Sequence, residues 1–168
     1  MNLSRRKIIA VMGMLAMAGC GFRLRGTADV PFETVYVPGA TGGMPRDLVR
    51  NIQAGTRAKV VDNPKGADAI VEFTQDTRLK EILSLSGTGR VREYRLRYRV
   101  GFRVHDGKGA EYIPPSIVEL TRDISFNDSD VLAKESEEAF LWRDMQTDMV
   151  SQIMRRLAAS QKPVPKVL

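Results

Sequence analysis

The chain has one cysteine and one histidine among its 168 residues, too few for a metal site built on clustered cysteine and histidine ligands, and most of its acids are scattered singly. A single cysteine also excludes an internal disulfide framework. The sequence contains no glycine-rich phosphate loop, no HExxH helix and no G-x-S-x-G elbow. His105 stands beside a predicted hairpin turn, where we expect a solvated side chain. We therefore expect no catalytic residues, no metal and no dissociable cofactor.

Apolar runs long enough to span a bilayer as a helix are also absent. The best candidate, residues 8–17, is uncharged but too short, and it follows the cations Arg5, Arg6 and Lys7. The small residues Ala18 and Gly19 come next. A charged start, a short apolar run and small residues are the layout of a secretory signal, so residues 1–19 are predicted to be a signal peptide.

Cys20 directly follows those small residues. The segment LAMAGC at positions 15–20 resembles a bacterial lipobox, in which the cysteine is lipidated and its amine becomes the mature N-terminus. An N-acyl and an S-diacylglycerol group on Cys20 would anchor the chain firmly, since each buried CH₂ contributes about 0.8 kcal/mol. The alternative is a buried cysteine in a short N-terminal helix.

The net charge of +6 overstates the basicity of the predicted mature chain. Residues 1–19 contain three cations and no acids, which leaves 23 Lys and Arg against 20 Asp and Glu, or +3. Net charge is then weak evidence for a polyanionic partner. Nucleic acid is not expected as a ligand, because the chain is predicted to be exported and anchored.

The mature chain is predicted to form a tether (20–31), one domain (32–160) and a disordered tail (161–168). Hydrophobic alternation and turn residues predict the order β-α-β-β-β-α. The strands are expected at 32–37, 68–85, 90–105 and 112–126, and the helices at 45–55 and about 130–160. This order favours an α+β two-layer sandwich, with a mostly antiparallel four-stranded sheet and two helices on one face.

Charged residues alternate with apolar ones along the two strands that flank the turn at 86–89. If Ser86 faces Gly89, Arg103 lies opposite Glu72 and Arg99 lies opposite Asp76. Nearer the turn, the same register places like charges opposite each other: Arg97 with Arg78, and Arg95 with Lys80. Like charges directly opposite are destabilising, so this end of the hairpin looks unneutralised.

Two interpretations of these charges remain open. One is a solvated charged face whose residues pair with one another. The other is an anion-binding end, since the planar guanidinium of arginine can bind two phosphate oxygens at once. A phosphorylated glycolipid is the anion available in a bacterial envelope. The candidate residues are Arg78, Lys80, Arg95 and Arg97, with Arg90 and Arg92 near the turn.

Lys134 is a cation in the first turn of the last helix, where the helix dipole favours acids. It is either a further anion-binding candidate or an ordinary exposed lysine that pairs with Glu138 four residues on.

Four segments together resemble the LptE family of lipopolysaccharide-assembly lipoproteins. They are CGFRLRG at 20–26, the pair EY at 93–94, LAKE at 132–135 and RRL at 155–157. Their order on a β-α-β-β-β-α pattern carries the resemblance, which covers nearly the whole mature chain.

The resemblance implies a plug domain inside an LptD-like outer-membrane β-barrel, anchored at the periplasmic face of the outer membrane. Together the two proteins would pass lipopolysaccharide to the cell surface. Gly21 after the lipidated cysteine agrees with outer-membrane sorting. The resemblance also implies lipopolysaccharide binding at Lys134 and, by a looser match, at Arg90. The alternatives are a freestanding periplasmic ligand-binding lipoprotein and, with little support in the sequence, an envelope hydrolase.

Overall fold

The computed structural model describes residues 28–127 and 129–162. The predicted signal peptide, Cys20, residues 21–27 and residues 163–168 lie outside the described residues. None of the helices in the described ranges is both long enough and apolar enough to cross a bilayer. The elements are β1 (Thr34–Tyr36), α1 (Gly43–Gly55), β2 (Lys59–Val61), β3 (Ala69–Leu85), β4 (Val91–His105), β5 (Glu111–Ser125) and α2 (Val131–Ala159).

The five strands form one sheet in the order β2-β1-β3-β4-β5. β1 is parallel to β2 and β3, while β3, β4 and β5 form an antiparallel meander. The predicted α+β fold is confirmed, but the predicted four-stranded sheet lacks β2. This strand has only three residues, too few for a period-two pattern, and its pairing with β1 is nonlocal.

Both helices supply the core from one side of the sheet. The most deeply buried side chains of α1 are Met44, Leu48 and Ile52, and those of α2 are Met145, Met149, Val150, Ile153 and Leu157. Alternate residues of β4 face them and are fully buried: Leu96, Tyr98, Val100, Phe102 and Val104. Ala139 in the first half of α2 is exposed, because burial along this helix begins only in its second half.

The β3–β4 turn is one residue longer than predicted. Ser86 donates its backbone N–H to the carbonyl of Arg90 at 2.7 Å, so three residues rather than two separate the closing pair. Gly89 takes φ +78°, the left-handed conformation that a three-residue hairpin loop requires. The register beside the turn therefore differs by one residue from the predicted register.

A β-bulge at Thr74 shifts the register again, between the pairs Phe73–Phe102 and Gln75–Gly101. Beyond it, Glu72 faces Arg103 as predicted. Because side chains alternate between faces, one extra residue moves every later side chain of β3 to the opposite face. The bulge thus decides which residues of β3 face the helices.

Asp68 fastens β1 to the start of β3. Its Oδ2 accepts from the backbone N–H of Thr34 at 2.9 Å, from the Thr34 hydroxyl at 2.9 Å and from the N–H of Glu33 at 3.2 Å. The Asp68 N–H donates back to the Thr34 hydroxyl oxygen at 2.9 Å. These bonds, chiefly the Thr34 hydroxyl bond, hold the pKa of the Asp68 carboxyl below its usual value.

β5 lies at one edge of the sheet, where unpaired backbone groups are a hazard for aggregation. Pro114 and Pro115 stand near its start, which suits an edge strand. Two of its carbonyls accept hydrogen bonds from arginine side chains. Arg156 of α2 donates to the Ile117 carbonyl at 3.1 Å, and Arg122 donates to that of Thr121 at 3.1 Å.

The predicted tether is not wholly separate from the domain. Ala28 forms a parallel bridge with Thr56 and donates its N–H to the carbonyl of Gly55 at 2.7 Å. The chain therefore joins the domain beside β1 and α1. That is the end of the sheet opposite the β3–β4 turn, since β3 begins beside β1 and runs toward the turn.

Candidate anion-binding surface at the hairpin end

Arg95 and Arg97 lie on the sheet face away from the helices, opposite Glu81 and Leu79 respectively. Arg95 forms a two-pronged salt bridge with Asp123 of β5, at 2.8 and 2.9 Å. This bond is the main reason why the pKa of Asp123 is lowered. The predicted facing of Arg95 with Lys80 and of Arg97 with Arg78 is wrong.

The rest of this face repeats the same arrangement. Arg97 contacts Glu81 at 3.0 Å, and Arg99 contacts Glu119 at 2.6 Å. Arg99 lies opposite Thr77, not opposite Asp76 as predicted. Arg103 contacts Glu72 at 2.6 Å, so four of the β4 arginines (95, 97, 99 and 103) have an acid on β3 or β5 within reach. The outer face is a self-pairing charged surface, one of the two interpretations that the sequence left open.

Arg78 lies on the opposite face, under the helices. Its guanidinium carbon is 4.7 Å from the Tyr98 ring centroid and 5.7 Å from that of Trp142. It donates to Gln146 at 2.5 Å, and Gln146 in turn donates to Asp47 of α1 at 2.5 Å. Arg78 therefore connects β3 to both helices. Nothing in the sequence pattern of β3 indicates this contact, because it depends on the bulge.

Lys80 lies on the same face as Arg78 and is also engaged. Its ammonium donates to Glu138 at 2.6 Å and lies 4.3 Å above the centroid of the Tyr94 ring. Glu138 also accepts from the indole N–H of Trp142 at 3.3 Å. The predicted cluster of Arg78, Lys80, Arg95 and Arg97 is thus divided between two faces of the sheet. These four residues do not form one anion-binding end.

Three other candidates do lie at one end of the molecule. Lys134 donates to the Ser125 hydroxyl at 3.0 Å and to Glu137 at 2.9 Å, so its partner is not Glu138. Ser125 pairs with Glu93, and the next residue, Phe126, donates its N–H to the carbonyl of Arg92 at 2.7 Å. The backbone of Arg92 is thus bonded to the residue that follows Ser125, the residue that Lys134 contacts.

Arg90 completes this end of the molecule, where it closes the turn. Its N–H donates to the Ser86 hydroxyl at 3.0 Å. We define the distal end as Arg90, Arg92, Lys134 and the backbone between them. The N-terminus of α2 also lies there, where the helix dipole contributes positive potential. Its first turn contains no acidic side chain, and the acid that precedes it, Asp130, makes no side-chain capping bond. Ser125 and Phe126, which connect these parts, were not predicted as site residues.

His105 is less exposed than the sequence suggested, with 20% of its side chain accessible. Its Nδ1 accepts from the N–H of Gly107 at 3.0 Å, and its Nε2 lies 3.4 Å from Glu72. Glu72 also binds Arg103, and this bond is the main cause of its lowered pKa. His105 is therefore one member of a charged network at the far end of β4.

Comparison with known proteins gives consistent results. The profile of the LptE family, described as lipopolysaccharide-assembly, matches residues 32–157. The LPS-assembly lipoprotein LptE of Yersinia enterocolitica is 28% identical over 165 residues, which cover 92% of this chain and 77% of that protein.

Two solved structures share the fold. Lipoprotein B from Nitrosomonas europaea superposes with a TM-score of 0.71 at 45% identity, covering 83% of this chain and 91% of that one. The rare lipoprotein B from Shewanella oneidensis gives a TM-score of 0.63 at 25% identity, covering 75% and 92%. The family resemblance inferred from the sequence segments is confirmed.

Proposed function

The chain belongs to the LptE family of lipopolysaccharide-assembly lipoproteins, and we propose that it binds lipopolysaccharide as the lipid-anchored partner of an outer-membrane β-barrel. The observation that carries this proposal is the family match, which spans the domain from β1 to the end of α2. The role requires no catalytic group. It requires an anchor, a surface for the barrel and a contact for the lipid.

The anchor is Cys20, with covalent N-acyl and S-diacylglycerol groups. The described chain joins the domain beside β1, at the end opposite the distal end. A lipid anchor attached at that end of the domain would hold it at the periplasmic face of the outer membrane. The β3–β4 hairpin, at the other end, could then point away from this face. Replacing Cys20 with Ser should release the protein from membranes, as measured by fractionation and by loss of the lipid mass.

The barrel partner is an LptD-like protein that surrounds the domain. The support is the self-pairing charged face of β3, β4 and β5, since the interior of an outer-membrane barrel is polar. An exposed ion pair contributes little to folding stability. The charged residues of this face are therefore better suited to contacting the barrel wall than to stabilising the domain.

Purification from membranes in mild detergent tests the partnership. We expect a large β-barrel to be recovered in a one-to-one ratio with this chain. Recovery of the anchored monomer alone would contradict the plug role. That result would favour a freestanding periplasmic ligand-binding lipoprotein.

The lipid contact is the distal end, where Lys134, Arg90 and Arg92 offer cations to phosphates or acidic sugars. Arg78 and Lys80 lie on the helix side of the sheet and Arg95 and Arg97 on its outer face, so these four residues do not form one lipid contact and are left out of the proposal. Reversing charge with Lys134→Glu and Arg90→Glu together should weaken lipopolysaccharide binding about tenfold or more.

The matched control reverses two exposed cations at the opposite end, with Lys65→Glu and Lys108→Glu. This double variant has the same change in net charge, so it should retain affinity if position matters. Equal affinity of the folded Lys134 and Arg90 variant and the parent would reject the distal end as the lipid contact. It would leave the barrel partnership intact.

A further inference from the structure

α2 is packed against the sheet unevenly along its length. Of residues 131–140, Lys134 and Glu138 are half-buried and the other eight are exposed. Leu141 and Trp142, which follow, pack against the core. We call residues 131–140 the lid, since they cover the sheet near the distal end while the buried residues of α2 all come later.

Two charged side chains hold the lid on the sheet. Glu138 accepts from the Lys80 ammonium of β3 at 2.6 Å, and these side chains are 22% and 37% exposed. Lys134 donates to the hydroxyl of Ser125, the last residue of β5, at 3.0 Å. Charged pairs that reach solvent are screened by salt, so they hold a segment only weakly.

The lid gains little stability from its own sequence. Its apolar side chains are turned to solvent, with Leu132 80% exposed and Phe140 62% exposed. Asp130, which precedes the lid, makes no side-chain capping bond within the described chain, and the cation Lys134 lies in a first turn whose dipole favours acids. Segments with few buried contacts open at a lower free energy than the core does.

We propose that the lid opens by local unfolding while the rest of α2 stays packed, and that the Lys80–Glu138 pair is its clasp. The closed lid keeps Lys80 and Lys134 bonded to groups of α2 and β5. Opening separates both lysines from these groups, so that their ammonium groups become available to anions. The position of one helical segment therefore sets the charge that this end of the domain presents. This inference goes beyond the proposed function and does not depend on it.

Amide hydrogen exchange of the full mature protein measures the opening. The amides of residues 135–140 should exchange at least about tenfold faster than those of residues 150–157, whose side chains pack in the core. Raising NaCl from about 20 mM to about 500 mM should speed exchange in the lid further, since salt screens the clasp.

Lys80→Met removes the clasp without changing the sequence of the helix. It should speed exchange in the lid about two- to fivefold, as expected for the loss of one partly exposed ion pair, and should reduce the effect of salt. Ser125→Ala, also on the sheet, removes the second contact and should act in the same direction, which keeps the test decisive if the first variant folds poorly.

Glu81→Gln is the matched control. It breaks the ion pair with Arg97, 3.0 Å long, on the face of the sheet away from the helices. Glu81 is the neighbour of Lys80 on β3, so the control removes an ion pair from the same part of the strand. Exchange in the lid should not change.

Equal exchange rates for residues 135–140 and 150–157 in the parent would overturn the inference. Fast exchange in the lid that neither Lys80→Met nor Ser125→Ala alters would also overturn it, since the helix end would then fray without a clasp. A uniform increase along the whole chain in Lys80→Met would mean that the pair stabilises the domain as one unit, which again contradicts a lid. Exchange is measured without lipopolysaccharide, so these outcomes leave the proposed function to its own tests.

Discussion

Gly101 of β4 lies against Thr74, the bulged residue of β3, with no space between them for a methyl group. A Cβ built on Gly101 would lie 2.6 Å from the Thr74 hydroxyl oxygen and 3.2 Å from the Cβ of Gln75. The bulge that assigns Arg78 and Lys80 to the helix side therefore depends on a glycine in the neighbouring strand.

Gly101→Ala should destabilise the domain by about 1–3 kcal/mol, because the added methyl forces Thr74 and the bulge to move. Urea unfolding measures the change. Thr74→Ala in the same chain should recover part of the loss by removing the crowded oxygen. Gly87→Ala is the control, since its Cβ would meet open space. Equal stability of Gly101→Ala and the parent would show that the bulge can adjust without cost.

Arg78→Ala should lower the free energy of unfolding by about 1–2 kcal/mol, since it removes two aromatic contacts and a hydrogen bond to Gln146. Arg78→Lys should recover little, because a lysine cannot reproduce the planar stacking. Arg143→Ala on the exposed face of α2 serves as the control and should be near neutral. If the folded Arg78→Ala variant kept full stability but bound lipid more weakly, Arg78 would be a lipid-binding residue and not a structural one.

Asp68 should make the domain less stable in acid. Its pKa is lower in the folded state than in the unfolded chain, so the unfolded chain binds the proton more readily. Its contribution to stability is therefore present above the unfolded pKa, about 3.9, and is lost as the pH falls through the folded pKa. Asp68→Asn should show a smaller loss of stability than the parent between about pH 5 and pH 2.

Urea midpoints measured across that range test the Asp68 prediction. Glu72 and Asp123 also have lowered pKa values, so some acid sensitivity should persist in the variant. Identical pH profiles for the parent and Asp68→Asn would mean that the Thr34 bonds do not favour the charged carboxylate.

Arg156→Ala should increase self-association. The substitution leaves the Ile117 carbonyl on edge strand β5 without its side-chain donor, and exposed edge groups pair with other chains. Sedimentation velocity at rising protein concentration should show dimers or larger species for the variant. Arg155→Ala, at the exposed neighbouring position, should sediment as the parent does. Monomeric behaviour of both variants would show that Arg156 does not protect this edge from pairing with other chains.

Local sequence features predicted most of the fold. The bounds of the predicted helices and strands differ from the observed bounds by at most two residues. Turn chemistry and hydrophobic period act over a few neighbouring residues, so one sequence contains the necessary information. β2 was missed for the opposite reason. Its three residues become a strand only by pairing with β1, which lies 25 residues earlier.

The candidate site was harder to predict because it depends on register. One additional residue in the turn and one bulge at Thr74 were enough to separate Arg78 and Lys80 from Arg95 and Arg97. No local pattern reveals either irregularity, since both depend on contacts between strands. Arg90 was a candidate from the charges beside the turn and Lys134 from its place in the first turn of the last helix, and the family resemblance implied both. The two lie at the same end of the molecule.

The linear sequence alone determines the order of elements, the alternation along β4 and the family segments. They indicated the α+β fold and an envelope lipoprotein of the LptE family. The tertiary structure alone decides which face of the sheet each cation occupies. It also decides which acid or aromatic ring each cation contacts. In a sheet, a shift of one residue reverses the direction of a side chain, so composition and spacing alone could not assign the charges to a surface.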